Sequence, residues 1–456
     1  MKHSSNHNLE KPPKKTPQKN PNWQLLILSN GHGEDIIAGR IIEELRKLPS
    51  APDIFALPIV GEGHTYQSLN IPCIGDVKTM PSGGFIYMDK SQLVQDIQSG
   101  LIQLTWKQIR AVRTWVKGQK KLGNHQGILA VGDIVPLLFA AISGPNYAFV
   151  GTAKSEYYVR DKTGLLRRNS QKSWWENFSG SIYHPWERWL MSRRRCRAVF
   201  PRDTLTTEIL RRWPIPAFDA GNPMMDGLEP SSNTPQFLDS NLQKSESYYP
   251  LIVTLLPGSR TGEAYSNWEI IMVAISGLME ILPQRKIIFL GAISPGLDQA
   301  ILSESLKIQG WENHHSSPIA IRDPHALVFK QRNAYLLLTQ TSYNECLHWA
   351  HLAIAMAGTA TEQFVGLGKP VIAFPGKGPQ YNPNFAEAQS RLLGVSLILL
   401  DHPRQVPETV ANMLQNPDFF QEIATNGWER MGKPGAAKRI AECLKMRLGS
   451  PNQSRT

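Results

Sequence analysis

Leu251-Ile252-Val253-Thr254-Leu255-Leu256 runs directly into Pro257-Gly258-Ser259-Arg260. Six β-prone residues without a charge suit a strand buried on both faces, as in the middle of a parallel sheet. The turn that ends the strand has its own chemistry. Gly permits a tight reversal, Ser can donate a hydrogen bond, and Arg suits paired bonds to phosphate. A plain β-turn with a solvated Arg has the same residues and needs no ligand. Downstream, a helical stretch at 268–282 precedes strand-like runs at 286–290, 335–338, 352–356, 371–374 and 396–400. Strands separated by helical stretches imply parallel βαβ units, hence one doubly wound domain in this half.

Working back from residue 251, residues 229–249 are polar and carry Pro, Ser and Asn throughout, which reads as a linker. Before it the same α/β pattern occurs once already. Strands are expected at 23–30, 54–60, 128–131, 147–150 and 198–200. A helix with Ile37, Ile41, Leu45 and Leu48 on one face follows the first. The chain therefore divides into a tail (1–22), an amino-terminal α/β domain (23–228), the linker (229–249), a carboxyl-terminal α/β domain (250–433) and a last helix with its tail (434–456). The 456 residues suit two domains of about 200 each.

Composition excludes several classes. With 41% hydrophobic and 19% charged residues, a folded soluble protein is expected. No run of about 18 uncharged apolar residues is present, so no membrane-spanning helix is expected. Residues 1–22 lack the apolar stretch of a secretory signal and read as a disordered tail. That tail holds five Lys and one Glu, so it supplies +4 of the net charge of +11. The basic remainder favours anionic partners, or serves solubility alone. Cys73, Cys196, Cys346 and Cys443 are scattered, with neither zinc nor disulfide spacing, which suits a reducing cytoplasm.

In open α/β sheets ligands bind beyond the carboxyl ends of the strands, so the loops there carry the candidate chemistry. Asn30-Gly31-His32-Gly33-Glu34-Asp35 joins the first strand to the first helix. Gly31, His32 and Gly33 allow close approach to a ligand, although an ordinary helix start with acidic first-turn residues looks the same. Gly132-Asp133 ends the third strand. Asp133 is placed either to act as general base or to cap the next helix. In the second half, Gly258, Ser259 and Arg260 form one phosphate-binding candidate. Ala357-Gly358-Thr359-Ala360-Thr361-Glu362-Gln363 forms the other, at a helix amino terminus. The stretch 376–384, with Gln380 and Asn384, reads as a binding loop. Residues 174–197 combine Trp174, Trp175, Trp186 and Trp189 with Arg193, Arg194, Arg195 and Arg197. Such a stretch suits a membrane surface, or a helix packed by its Trp face. No nucleic-acid-binding module is recognised, so no nucleic-acid partner is expected.

Leu255-Leu256-Pro257-Gly258-Ser259-Arg260, Gly358-Thr359-Ala360-Thr361 and Lys369-Pro370 together resemble the lipid-A-disaccharide synthase family. The likeness extends to Ile215-Pro216-Ala217-Phe218-Asp219-Ala220-Gly221-Asn222-Pro223-Met224-Met225-Asp226. The family's enzymes are glycosyltransferases that move a glucosamine-type sugar from UDP to a lipid. The resemblance implies a GT-B fold, with two Rossmann-like doubly wound domains facing across a cleft. It implies UDP beside Arg260 and the Gly358–Thr359 loop, and a last helix crossing back to the first domain. Gln380 and Asn384 resemble a pair beside the donor sugar in the related peptidoglycan glucosaminyltransferase. The chain departs from the pattern in three places. Gln363 stands where the family has a ribose-binding Glu, with Glu362 one position, or about 100°, away round the helix. Gly33-Glu34-Asp35 replaces a Ser-Gly-Asp, and an insertion follows Gly151.

These residues give an expected reaction. No cofactor is expected: a nucleotide-sugar, as co-substrate, would donate its sugar to a lipid or other hydrophobic acceptor. No DxD-like metal motif sits at a strand end, so the expected transfer is metal-independent and inverting. Asp133 would deprotonate the acceptor, with Asp35 or Glu34 next in line. Arg260 and the helix amino terminus would stabilise the departing diphosphate. The site would be cytoplasmic, at the inner face of a membrane where the acceptor is a lipid. Two alternatives share the same scaffold: a nucleotide-sugar epimerase, and a non-catalytic nucleotide-sugar-binding protein.

Overall fold

The computed structural model describes residues 23–75, 101–166, 180–238, 249–379 and 381–449. The tail 1–22, linker residues 239–248, Trp174, Trp175 and Gln380 lie outside the described residues.

The first sheet is built from β1 (Trp23–Ser29), β2 (Asp53–Pro58), β3 (His125–Gly132), β4 (Asn146–Gly151) and, after a two-residue pair β5 (Arg160–Asp161) and β6 (Gly164–Leu165), β7 (Cys196–Phe200). Its order is β2-β1-β3-β4-β7, parallel throughout. Every residue of β1 is buried, with Leu25, Leu26, Ile27 and Leu28 wholly inaccessible. That burial on both faces is why the strand reads as a continuous apolar run.

The second sheet contains β8 (Leu251–Leu256), β9 (Ile287–Ala292), β10 (Glu312–Asn313), β11 (Leu327–Gln331), β12 (Ala334–Thr339), β13 (Leu352–Ala355), β14 (Val371–Ala373) and β15 (Leu397–Leu399). Its order is β10-β11-β12-β9-β8-β13-β14-β15. The β12-to-β15 portion is parallel, and β10 and β11 add an antiparallel edge. The strand predicted at 251–256 is β8, and it is buried along its whole length. The helix expected at 268–282 begins earlier, spanning Thr261–Ile281, so it starts directly on the turn after β8. The helix Leu101–Lys121 and the antiparallel edge are additions to the elements read from sequence.

Strand order reverses between β1 and β3 in the first sheet and between β8 and β13 in the second. Those are the two topological switch points, where a crevice opens beyond the strand ends. All four candidate loops fall there. Asn30–Asp35 follows β1, Asp133 follows β3, Pro257–Arg260 follows β8, and Ala357–Gln363 follows β13.

The two halves are joined at several points. The last helix, Ala436–Leu448, packs on the helix His32–Arg46 and contributes Ile440, Leu444 and Leu448 to the core of the first half. Its free amino end is capped by Asp226, which accepts from the N–H groups of Gly435 (2.5 Å), Ala436 (3.1 Å) and Ala437 (2.6 Å). The segment after Gly151 reaches the other way. Tyr157 is 2% exposed and sits in the core of the second half, beneath the Arg430 guanidinium and bonded to Glu429. Arg391 of the second half donates to the Tyr158 carbonyl.

Candidate functional site

Four elements meet at the floor of the first half. Asn30, at the end of β1, donates its side-chain amide to Asp133 Oδ1 at 2.7 Å. The same oxygen accepts from Val135 N at 2.9 Å and so caps the helix Ile134–Ser143. Oδ1 is therefore the helix cap, one of the two roles read for Asp133 from sequence, while Oδ2 accepts no hydrogen bond among the described residues. Burial, with the Glu34 charge adding to it, raises the Asp133 carboxyl to about 6, against the bonds from Val135 and Asn30. Glu34 is half-buried and accepts from Thr152 Oγ1 at 3.0 Å, just beyond β4. Gly132 has φ +134, and a Cβ there would lie 2.0 Å from Asn30 Oδ1, so only glycine fits.

Asp35 is the expected catalytic candidate that the fold withdraws from this floor. It is 2% exposed and accepts from Ser29 Oγ at 2.6 Å, and that hydroxyl also bonds the Tyr66 phenol. Burial raises its carboxyl to about 6. One helical position separates it from Glu34, enough to turn it into the core. Gly31 is buried, whereas His32 and Gly33 are exposed, with open space about Gly33.

In the second half, Ser259 and Arg260 are exposed and their side chains make no hydrogen bond among the described residues. Gly258 has φ +104, and a Cβ there would approach the Met356 carbonyl to 3.3 Å. The two loops are held together from behind. Asn267 donates to the carbonyls of Pro257 (3.0 Å) and Met356 (3.3 Å). Gln389 donates to those of Ala357 (3.2 Å) and Gly358 (3.1 Å). Glu263 accepts from Tyr381 N at 2.6 Å and fills the space beside Gly378, which ties the 376–384 loop to the helix after Arg260. Asn384 is exposed in the first turn of the helix Pro383–Leu393.

The AGTATEQ loop begins the helix Thr359–Gly366, whose amino end has no side-chain cap. Thr359 is exposed and Ala360 half-buried. The other polar side chains are engaged. Thr361 Oγ1 bonds the Ala357 carbonyl at 2.6 Å. Glu362 Oε2 pairs with Arg202 Nη2 of the first half at 2.5 Å. Gln363 accepts from Tyr343 OH at 2.6 Å and donates to the Met224 carbonyl at 2.9 Å. Neither ribose candidate is free.

Asn30, Thr152, Arg202, Asn267 and Gln389 were not singled out from sequence. For Asn267 and Gln389 a signal existed: each is an amide on a helix face otherwise made of Ala264, Trp268 and Ile271, or of Ala386, Leu392 and Leu393. A buried amide on an apolar stripe needs partners, and the carbonyls of the two loops supply them.

Trp186 and Trp189 are each 58% exposed on the helix Pro185–Ser192. Arg193 lies over the Trp189 ring at 4.3 Å, and His184 stacks on Trp186. This helix packs against Ile134–Ser143, where Leu138 and Ile142 are also exposed. Arg195 instead bonds the Ala141 carbonyl. Among the described residues no helix is long and apolar enough to cross a membrane.

No family model and no curated protein matches the chain. Solved structures do. A UDP-N-acetylglucosamine 2-epimerase of Listeria monocytogenes, described as putative, has a TM-score of 0.54 at 14% identity, over 94% of this chain and 98% of its own. MurG of Acinetobacter baumannii has a TM-score of 0.53 at 12% identity, over 93% and 100%. The UDP-GlcNAc 2-epimerase of Neisseria meningitidis, solved bound to UDP-GlcNAc, has a TM-score of 0.52 at 14% identity, over 93% and 100%. These are GT-B proteins, and the chain has that fold: two Rossmann-like doubly wound halves facing across a cleft.

Proposed function

We propose that the chain is an enzyme of uridine-diphosphate sugars. The diphosphate lies against Arg260 and the amino end of Thr359–Gly366, and the sugar lies toward Asp133 and Glu34. The observation that carries this is the placement of all four candidate loops at the two switch points of the facing sheets. The UDP-GlcNAc bound in the Neisseria meningitidis neighbour supports the same ligand class.

Two reactions suit that arrangement. The first is inverting, metal-independent transfer of the sugar to a lipid or other hydrophobic acceptor, with Asp133 Oδ2 taking the acceptor proton. The likeness to lipid-A-disaccharide synthase supports it, as does the exposed Trp186–Trp189 face, suited to a membrane surface. The second is epimerisation of the sugar at carbon 2: a carboxylate takes the carbon-2 proton as the bond from carbon 1 to UDP breaks, and UDP and a proton then add back, the proton on the opposite face, so no acceptor is needed. Two of the three neighbours described are 2-epimerases, and they support this second reading better than the first.

Incubation with UDP-GlcNAc alone, followed by proton NMR, separates the two. A new UDP-sugar epimer without acceptor establishes the second. UDP release only when lipid extract is added establishes the first. Calorimetry that finds no UDP binding overturns both. UDP binding without either product leaves a non-catalytic binding protein.

A further inference from the structure

Resting on that assignment of the sugar site, we infer that Asn30 is a positioning residue, which with Thr152 sets the carboxylates of Asp133 and Glu34 side by side facing the sugar.

Asn30 is 6% exposed, and its amide is fully committed in direction. Nδ2 holds Asp133 Oδ1, and Oδ1 of Asn30 is buried with no hydrogen-bond partner. A buried carbonyl left unpaired is costly and uncommon, and a helix cap does not need it, because Val135 N already satisfies the capping geometry. What the Asn30 bond adds is orientation. With two donors on Oδ1, the second oxygen of Asp133 is left as the free one. Gly132 packs directly over the amide, and any side chain there would displace Asn30.

Glu34 completes the pair from the neighbouring helix. Its Cγ would lie 3.3 Å from a Cβ on Gly132, and Thr152 fixes one of its oxygens. The two carboxylates are thus held by separate neutral donors on β1 and beyond β4. Such a pair can take a proton and return one in either reaction proposed above. The other charge acting on Asp133 is Glu187 of the helix Pro185–Ser192, itself bonded to Lys154 at 2.5 Å. Asp35 turns away to Ser29.

The Glu34 charge raises the Asp133 carboxyl and the Asn30 bond lowers it. Their removal must therefore move it in opposite directions. The full chain, labelled with 13C at Asp and Glu carboxyls, is titrated by NMR as wild type, Asp133→Asn, Glu34→Gln and Asn30→Ala. A resonance with a midpoint of about 6 should vanish in Asp133→Asn, move to lower pH in Glu34→Gln and move to higher pH in Asn30→Ala. The acidic limb of the turnover profile should follow the same two directions. In Asn30→Ala kcat should fall while KM for the UDP-sugar stays near wild type. A midpoint unmoved in Glu34→Gln overturns the pair, even where Asn30→Ala fails to fold. Movement in the same direction in both variants overturns the positioning role. Absent turnover in the wild type, with both midpoint movements intact, defeats only the proposed reactions.

Discussion

The Arg202–Glu362 pair offers the sharpest test of how the two halves are joined. The side chains are 4% and 9% exposed, and they meet at 2.5 Å across the seam between the end of β7 and the helix Thr359–Gly366. Arg202 also donates to the Thr152 carbonyl at 3.3 Å, while its Nε has no partner. Removing one partner leaves a buried charge uncompensated, which costs about 3–5 kcal/mol. Glu362→Leu and Arg202→Met should therefore each destabilise by about that amount. The double variant Arg202→Met with Glu362→Leu should lose far less than the sum, and packed apolar replacements of buried pairs can even gain about 1–4 kcal/mol. Urea denaturation followed by both Trp fluorescence and circular dichroism reads the differences, and the two probes together show whether the halves still unfold as one. Single variants that each cost under about 1 kcal/mol, with the double equal to their sum, would refute the argument, because that is how a solvent-screened pair behaves.

Three further outcomes follow from the same contacts. Tyr157→Ala removes an aromatic ring from the second half's core and should cost about 3–5 kcal/mol in denaturation, with faster proteolysis after Gly151; a loss under about 1 kcal/mol would show that this segment does not bind the halves. Arg260→Ala should weaken UDP binding by about 10- to 100-fold in calorimetry, the worth of a charged hydrogen bond, and should reduce the salt dependence of binding. Asp35 is raised in the folded chain from 3.8 to about 6, so the folded state holds its proton more tightly than the unfolded one; that stability is present below 3.8 and is lost as pH rises to about 6. The gap is worth up to about 3 kcal/mol, so Asp35→Asn should be more stable than wild type at pH 8 and lose that advantage at pH 4.

The parts of the fold that could be read in advance are those written in local pattern. The uncharged run of β8, the similar run of β1 and the glycine-bearing turns after them place both switch-point loops without any knowledge of packing. The antiparallel edge is different. β10 has only two residues, both exposed, and β11 alternates weakly, so neither rises above loop in sequence. Site residues separate along the same line. Asp133 and Asp35 are equivalent as acidic residues near strand ends, and only the tertiary positions of Ser29 and Tyr66 show that Asp35 faces inward. Gln363 finds its partners 20 and 139 residues away, at Tyr343 and Met224, distances over which no periodicity carries information.

That last pair of contacts bears on how a nucleotide would be recognised under the proposed function. A ribose is normally held by a side chain that can accept from its two hydroxyls, and a carboxylate does this best. Here the Gln363 amide has both its oxygen and its nitrogen bonded within the protein, and the adjacent Glu362 is neutralised by Arg202. Thr361 is bonded back to Ala357. What the loop has left to offer is the exposed Thr359 hydroxyl and the uncapped N–H groups of the first helical turn, which suit phosphate oxygens rather than a sugar edge. Binding should therefore draw its strength from the diphosphate, through Arg260, Ser259 and that helix end, with little from the ribose. UDP and 2′-deoxy-UDP should bind within about threefold of each other, since under about 0.7 kcal/mol separates them where no hydroxyl contact is made. A loss of about tenfold or more for the deoxy nucleotide would mean that Glu362 leaves Arg202 when the donor arrives, and calorimetry with Arg202→Met, which frees Glu362 in advance, would then show tighter UDP binding than wild type.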